Sequence, residues 1–136
     1  MSTVLPRLER RSILIGAAIT IVLAVPPALI GVVASEDDSM EGSAWVPFLF
    51  AWIVVAFFVG GFLAARSQPH APLAHGALAA LLAYVLVQGV GVIRHLLADE
   101  DIAWVSIAFA ALLASSTGTV GGIVANWRRV RRSRTA

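Results

Sequence analysis

The chain has 136 residues, of which 59% are hydrophobic and only 13% are charged. Soluble domains carry about 25% charged residues, so this composition excludes an ordinary water-solvated surface and is typical of a membrane protein. No cysteine occurs, which excludes disulfides, thiolate metal sites and cysteine nucleophiles.

Four apolar stretches follow one another along the chain, at residues 12–34, 44–65, 73–97 and 102–125. Each has the roughly 17–25 residues that a helix needs to cross a bilayer. No stretch alternates with a period of two, and backbone groups in lipid must be satisfied within the segment, so helices are predicted and barrel strands are not. The connections are short, which makes consecutive helices antiparallel neighbours. The sequence therefore predicts an all-α, four-helix transmembrane bundle, a single domain over 1–136 with a basic tail at 126–136.

The first stretch contains Pro26 and Pro27 near its midpoint. Proline lacks a backbone donor and its ring clashes with the preceding turn, so a kink or break is predicted there. A kink that fits the bundle and a broken helix that lines a binding site both remain open. The arginine-rich start resembles a signal peptide, but the apolar run is too long and is interrupted by proline, so a retained helix is predicted.

Glycines concentrate in the later stretches. Lipid tails give helices no hydrophobic reason to associate, so small residues that allow close backbone approach supply the packing energy. The glycines predicted to pack helix against helix are Gly60, Gly61, Gly89, Gly91, Gly118, Gly121 and Gly122. A role in ligand binding is the alternative.

Gln88 lies well inside the third stretch, and the fourth contains Ser115, Ser116 and Thr119. A hydrogen bond between Gln88 and Ser115 that joins two helices is one interpretation. The other is a polar track for a small solute or ion, which requires all four side chains to line one cavity.

Arg94 and His95 lie near the outer end of the third stretch. Arg94 is predicted to extend outward and pair with an acidic residue of the outer loops.

His70 and His75 flank the second connection, have no standard metal spacing and are interpreted as interface residues. Because no nucleophile, base and orienting group come together, the sequence predicts no catalytic, cofactor-binding or metal site, and no enzyme.

The charges are sorted to opposite sides of the predicted bundle. On one side are Arg7, Arg10, Arg11, Arg66, Arg128, Arg129, Arg131, Arg132 and Arg134. On the other are Glu36, Asp37, Asp38, Glu41, Asp99, Glu100 and Asp101. The positive-inside rule then places both termini in the cytoplasm.

All ten basic residues are arginine, which suggests a bacterial genome and thus the bacterial cytoplasmic membrane. The basic tail is expected to bind anionic lipid, and no nucleic-acid partner is needed to explain it.

The two halves of the chain share residues at similar spacings. Gly16 and Gly31 reappear 60 positions later as Gly76 and Gly91, and VGGFLA from Val59 matches VGGIVA from Val120. Two duplicated helical hairpins with parallel orientation and a pseudo-twofold axis along the membrane normal are predicted. Coincidence between sequences of biased composition is the alternative.

The segment GGFLAAR, followed by a short proline-containing connection and HGALAALLAY, resembles a family of small four-helix bacterial membrane proteins that is known chiefly as uncharacterised. The residues that carry the resemblance are Gly60, Gly61, Ala65, Arg66, His75 and Gly76. The resemblance implies four helices and no assigned activity.

The function favoured by the sequence is that of a structural or accessory subunit that contacts other membrane subunits, or itself, through its helices. A small oligomeric channel, a holin-like pore or a transporter component is the alternative, and the polar track distinguishes the two.

Overall fold

The computed structural model describes residues 9–36, 45–68, 70–99 and 101–134, which form four α-helices. Helix α1 spans Arg10–Glu36, α2 spans Trp45–Arg66, α3 spans Pro72–Leu97 and α4 spans Trp104–Arg134. All four are long and apolar enough to cross a membrane. The 22 residues of α2 give a length of about 33 Å, which matches a hydrocarbon core of about 30 Å. The predicted all-α class with four helices is confirmed.

Three helices begin and end within two residues of the predicted bounds, whereas α4 runs on from residue 125 to Arg134. The segment predicted as a basic tail is therefore helical through Arg134. Arginine is a good helix former, and cations near a helix C-terminus interact favourably with its dipole. At 1.5 Å per residue, this extension carries its arginines about 14 Å beyond the predicted span.

Helices α2 and α3 form the centre of the bundle, and each contacts the other three helices. Helices α1 and α4 lie on opposite sides and do not contact each other in the described parts of the chain. Gly16 meets Gly60 between α1 and α2, and Gly76 meets Gly118 between α3 and α4. These pairs join the inner ends of antiparallel neighbours, where "inner" denotes the arginine-rich end.

The buried core consists of small side chains. Among the residues whose burial is described, the buried hydrophobic ones are all alanines: Ala17, Ala24, Ala56, Ala64, Ala65, Ala79, Ala80, Ala83, Ala114 and Ala125. Large apolar side chains face outward instead, as Val105 and Leu97 show with exposed fractions of 85% and 84%. A protein in water would bury these large side chains, whereas in lipid their exposure has no cost. The distribution supports a membrane-embedded bundle.

Helix α1 continues without interruption through Pro26 and Pro27. The alternative of a broken helix is therefore wrong, because the turns on either side supply enough hydrogen bonds to carry the helix past the missing donors. Pro27 is buried, whereas Pro26 is exposed and faces the aromatic end of α2 across an open cavity of about 370 Å³. A kink at this position stays a prediction.

Candidate functional site

The inner end of the bundle closes around a seam of glycines on three helices. A Cβ atom added to Gly61 would lie 2.5 Å from the carbonyl oxygen of Gly118, and one added to Gly76 would clash with the same oxygen. From the other side, a Cβ on Gly118 would lie 2.5 Å from both the Ala80 side chain and the Gly76 carbonyl oxygen. Helices α2, α3 and α4 thus meet backbone to backbone at Gly118, where no side chain fits.

The other close glycines extend this seam in both directions. Gly121 faces the backbone of Phe58 and Phe62 on α2, and Gly122 faces Pro72 at the start of α3. Gly60 lies against Thr20 of α1, whose hydroxyl donates a 2.9 Å hydrogen bond to the Gly16 carbonyl.

Gly16 and Gly76 belong to the seam although they were not among the glycines predicted to pack. The available signal was their match across the internal repeat. Gly89 and Gly91, which were predicted to pack, are outside it, since an added Cβ would meet nothing within 4 Å at Gly89 and only the Gln88 amide at 3.9 Å at Gly91. Both lie on the outer third of α3, beyond the point where the helices converge.

The outer half of the bundle contains a cavity of about 190 Å³ between all four helices. Its walls are mainly aliphatic and aromatic, and the polar groups among them are Thr20, Tyr84, Gln88 and Thr117. The Tyr84 hydroxyl donates a 2.7 Å hydrogen bond to the Ile107 carbonyl and so joins α3 to α4.

The polar track predicted from the sequence does not form at this cavity. Of its four residues, Gln88 alone is in the cavity wall. The hydroxyls of Ser116 and Thr119 donate to carbonyls of their own helix, at Leu112 and Ser115. Serine and threonine in a helix often satisfy themselves in this way, which removes their polarity from the bundle interior.

His75 is the largest side chain in the core and is only 1% exposed. Its Nε2 accepts a 3.0 Å hydrogen bond from the Glu9 backbone N–H, and its Nδ1 lies 2.7 Å from the Ala71 carbonyl oxygen. Because Nε2 accepts, Nδ1 must carry the proton and donate to Ala71. His75 therefore satisfies a backbone donor at the start of α1, and its place at the membrane interface stays a prediction. His70 is exposed.

Around His75, polar side chains join α1 to the connection between α2 and α3. Ser12 donates to the Glu9 carboxylate at 3.1 Å and shares a 2.9 Å hydrogen bond with the Ser67 hydroxyl. The Gln68 amide donates to both Glu9 and Ser12. We call these residues, with His75, the inner polar cluster. The sequence contains one signal for it, since Glu9 is the single acidic residue on the arginine-rich side.

Arginines of α2 and α4 surround a second feature of the inner end, a cavity of about 250 Å³. Its walls are Phe62, Arg66, Ala125, Arg128, Arg129 and Arg132. The Arg129 Nη2 donates a 2.6 Å hydrogen bond to the Arg66 carbonyl at the end of α2. The Arg128 guanidinium lies 5.5 Å from the centroid of the Phe62 ring. We call this the arginine pocket, which the sequence predicted only as a general basic tail.

Arg94 is exposed near the end of α3. Asp37, Asp38, Glu41 and Glu100, like Arg7 at the inner side, lie outside the described residues, so the predicted outer pairing of Arg94 stays a prediction. Within the described ranges, no three side chains of histidine, aspartate or glutamate are grouped closely enough to hold a metal ion.

Comparison with known proteins gives one family. No curated protein and no solved structure matches the chain significantly. The profile of the family described as "Protein of unknown function (DUF3792)" matches residues 10–125, a range that begins with α1 and includes most of α4. With most of its length matched, including α1 to α3 and most of α4, this chain belongs to the DUF3792 family of proteins of unknown function.

Proposed function

We propose that the chain is an accessory or structural membrane subunit, not an enzyme, and that it works by helix contact with another membrane subunit or a second copy of itself. The observation that carries the proposal is the unequal packing of the two halves. The inner glycines all meet backbone or side-chain atoms of other helices, whereas Gly31, Gly89 and Gly91 in the outer half meet no other helix.

A glycine within a helix costs about 1 kcal/mol relative to alanine. The inner glycines offset this cost through close contact inside the chain. Gly89 and Gly91 gain no such contact, so we infer that their benefit lies in contact with a helix from outside the chain. Val90 lies between them with 70% of its surface exposed.

The geometry supports this function better than a pore. A conducting path needs polar groups directed into a shared space. The hydroxyls of Ser116 and Thr119 are bonded within α4, and the outer cavity is lined mainly by apolar side chains. The proposed subunit binds anionic lipid at its basic end and does not bind nucleic acid.

Photo-crosslinking tests the proposed helix contact. A photoreactive phenylalanine analogue at Val90 is expected to give one discrete crosslinked protein in native membranes, because this residue is 70% exposed and lies between the two open glycines. Leu112 on α4 is a matched control, since it is 69% exposed and lies at a similar distance from the outer end of its helix. Equal protein crosslinking at the two positions, or none at Val90, would refute the proposed contact.

We further propose that the protein lies in the bacterial cytoplasmic membrane with both termini in the cytoplasm. The described arginines at the inner end support this orientation, as do Asp99 and Asp101 at the outer end. The GGxxAAR and HG segments are proposed as the family signature, because they supply Gly61 and Gly76 to the seam.

Single cysteines give a direct test of orientation, because the natural chain has none. Asp101→Cys is expected to react with a membrane-impermeant maleimide in intact cells, whereas Ser133→Cys should react only after the membrane is opened. Both positions are exposed, so reactivity reports the side of the membrane. The opposite labelling pattern would reverse the proposed orientation.

An origin by duplication of a helical hairpin is also proposed, supported by the repeated sequence and by the glycine contacts within both hairpins. A complete pseudo-twofold arrangement would pair α1 with α4 as α2 pairs with α3. That contact is missing between the described parts of α1 and α4, so the proposal is a duplication whose two halves have since diverged in packing.

A further inference from the structure

We propose that the arginine pocket is a specific binding site for the phosphate group of one anionic lipid. This inference deepens the proposed attraction of the basic end to anionic lipid and does not depend on the helix contact at the outer half. It differs from a diffuse attraction because it assigns binding to particular side chains and predicts that arginines outside the pocket contribute little.

Positive charge is concentrated around one cavity at the inner end. Four guanidinium groups, from Arg66 on α2 and from Arg128, Arg129 and Arg132 on α4, line a cavity of about 250 Å³. Residues four apart on a helix lie on the same face, which places Arg128 and Arg132 one turn apart above the end of α2. No carboxylate is among the described lining residues of this cavity.

Arg129 is held in place by one nitrogen of its guanidinium, while the other nitrogen has no hydrogen-bond partner. Nη2 of Arg129 is fixed by the Arg66 carbonyl at 2.6 Å. Nη1 of the same group is buried and has no hydrogen-bond partner. A buried, unpaired donor on a charged group is costly, and a small rotation of the guanidinium that brings Nη1 to the cavity would let an anion there supply the acceptor. Guanidinium groups bind phosphate oxygens with two parallel hydrogen bonds, which lysine cannot reproduce.

The depth of the pocket along the membrane normal favours a lipid over a soluble anion. Phe62 and Ala125 form its apolar side, at the inner ends of the membrane-spanning parts of α2 and α4. Trp127 lies in the same turn as these arginines, and the Arg131 guanidinium stacks over its ring at 4.2 Å. Tryptophan and snorkelling arginine occupy the headgroup level of a bilayer. The phosphate of a neighbouring lipid therefore lies at the height of the pocket.

The test measures lipid retention by the purified full-length protein in detergent, using native mass spectrometry with phosphatidylglycerol or phosphatidylcholine. The parent chain is expected to retain one phosphatidylglycerol in preference to phosphatidylcholine. Arg129→Gln should weaken this binding at least about tenfold, because it removes the charge and the charge-assisted hydrogen bonding of Nη1. Arg129→Lys, which keeps the charge but not the fork, should give an intermediate loss.

Arg134→Gln is the matched control, since it removes the same charge from an exposed position of α4 outside the pocket. It should change binding by no more than about twofold, within the effect expected of one surface charge. Equal losses in Arg129→Gln and Arg134→Gln would overturn the pocket in favour of diffuse attraction. Equal binding of the two lipids by the parent would overturn the attraction itself.

Two further arms complete the test. Arg66→Gln removes a pocket side chain from α2 but leaves the backbone carbonyl that holds Arg129. This variant therefore tests the lipid site even if Arg129→Gln does not elute as a folded, helical species. Arg66→Gln is expected to weaken phosphatidylglycerol binding, and unchanged binding would overturn the site.

Millimolar inorganic phosphate should leave the lipid bound. Its displacement by phosphate would show that the pocket serves a soluble phosphoanion instead of a lipid.

Discussion

Replacing Gly118 by leucine is expected to prevent the native bundle from forming, or to lower its free energy of unfolding by more than about 3 kcal/mol. Overpacking a core usually costs about 1–3 kcal/mol when side chains can move aside. Here the new side chain would meet the Gly76 backbone at 2.5 Å, and backbone cannot move without separating α3 from α4. The measurement is unfolding in a detergent–SDS titration, followed by circular dichroism and by the elution profile of the purified protein.

The same substitution at Gly91 is the control. An added Cβ there would meet only the Gln88 amide, at 3.9 Å, and leucine is the better helix former by up to about 1 kcal/mol. Gly91→Leu should therefore leave the stability of the isolated chain unchanged or slightly higher. If both variants lose the same stability, or if Gly118→Leu unfolds like the parent, the backbone-to-backbone seam is wrong.

This pair of glycines also shows how far sequence reasoning reaches. Length, apolarity and the sorting of arginines from acids were enough to predict four helices, because each of these is a local property of the chain. Whether a glycine packs depends on which face its helix turns to a neighbour and at what depth. Gly61 and Gly91 look equivalent in sequence, yet Gly61 meets Gly118 and Gly91 meets no other helix.

The sites at the inner end were harder to predict for a related reason. The hydrogen bond from Glu9 to His75 joins residues 66 positions apart, and no spacing rule connects them. Glu9 as a lone acid among arginines was a usable signal, but it pointed to no partner. The arginine pocket needed knowledge that α4 continues as a helix to Arg134, because only a helix brings Arg128 and Arg132 onto the face that covers the end of α2.

The inner polar cluster and the glycine seam together join all four helices at the inner end of the bundle. The seam joins α2, α3 and α4 at Gly118, but the described residues of α4 do not contact those of α1. Helix α1 is instead held by Gly16 against Gly60 and by the hydrogen bonds of His75, Ser12 and their partners. The outer half of the bundle contains a cavity, whereas the inner half is closed by glycine contacts. We therefore expect a partner that binds the outer half to contact helices whose inner ends are already fixed.

His75→Ala is accordingly expected to destabilise the bundle by about 3 kcal/mol, since it leaves a cavity in a well-packed region and deprives the Glu9 N–H of its acceptor. Besides the lower free energy of unfolding of the whole bundle, we expect a local loss of stability at the start of α1. Amide hydrogen exchange should accelerate at the first turn of α1, at residues 10–13, more than in α4. His75→Gln, which retains a side-chain acceptor, should recover part of the lost stability.

His70→Ala provides the matched comparison, because His70 is exposed in the same connection and surface substitutions usually change stability by no more than about 0.5 kcal/mol. The role assigned to His75 requires the buried histidine to matter far more than the exposed one, and α1 to loosen before the rest. Equal effects of the two substitutions, or uniform exchange along all four helices in His75→Ala, would show that His75 only fills space and does not hold α1 in place.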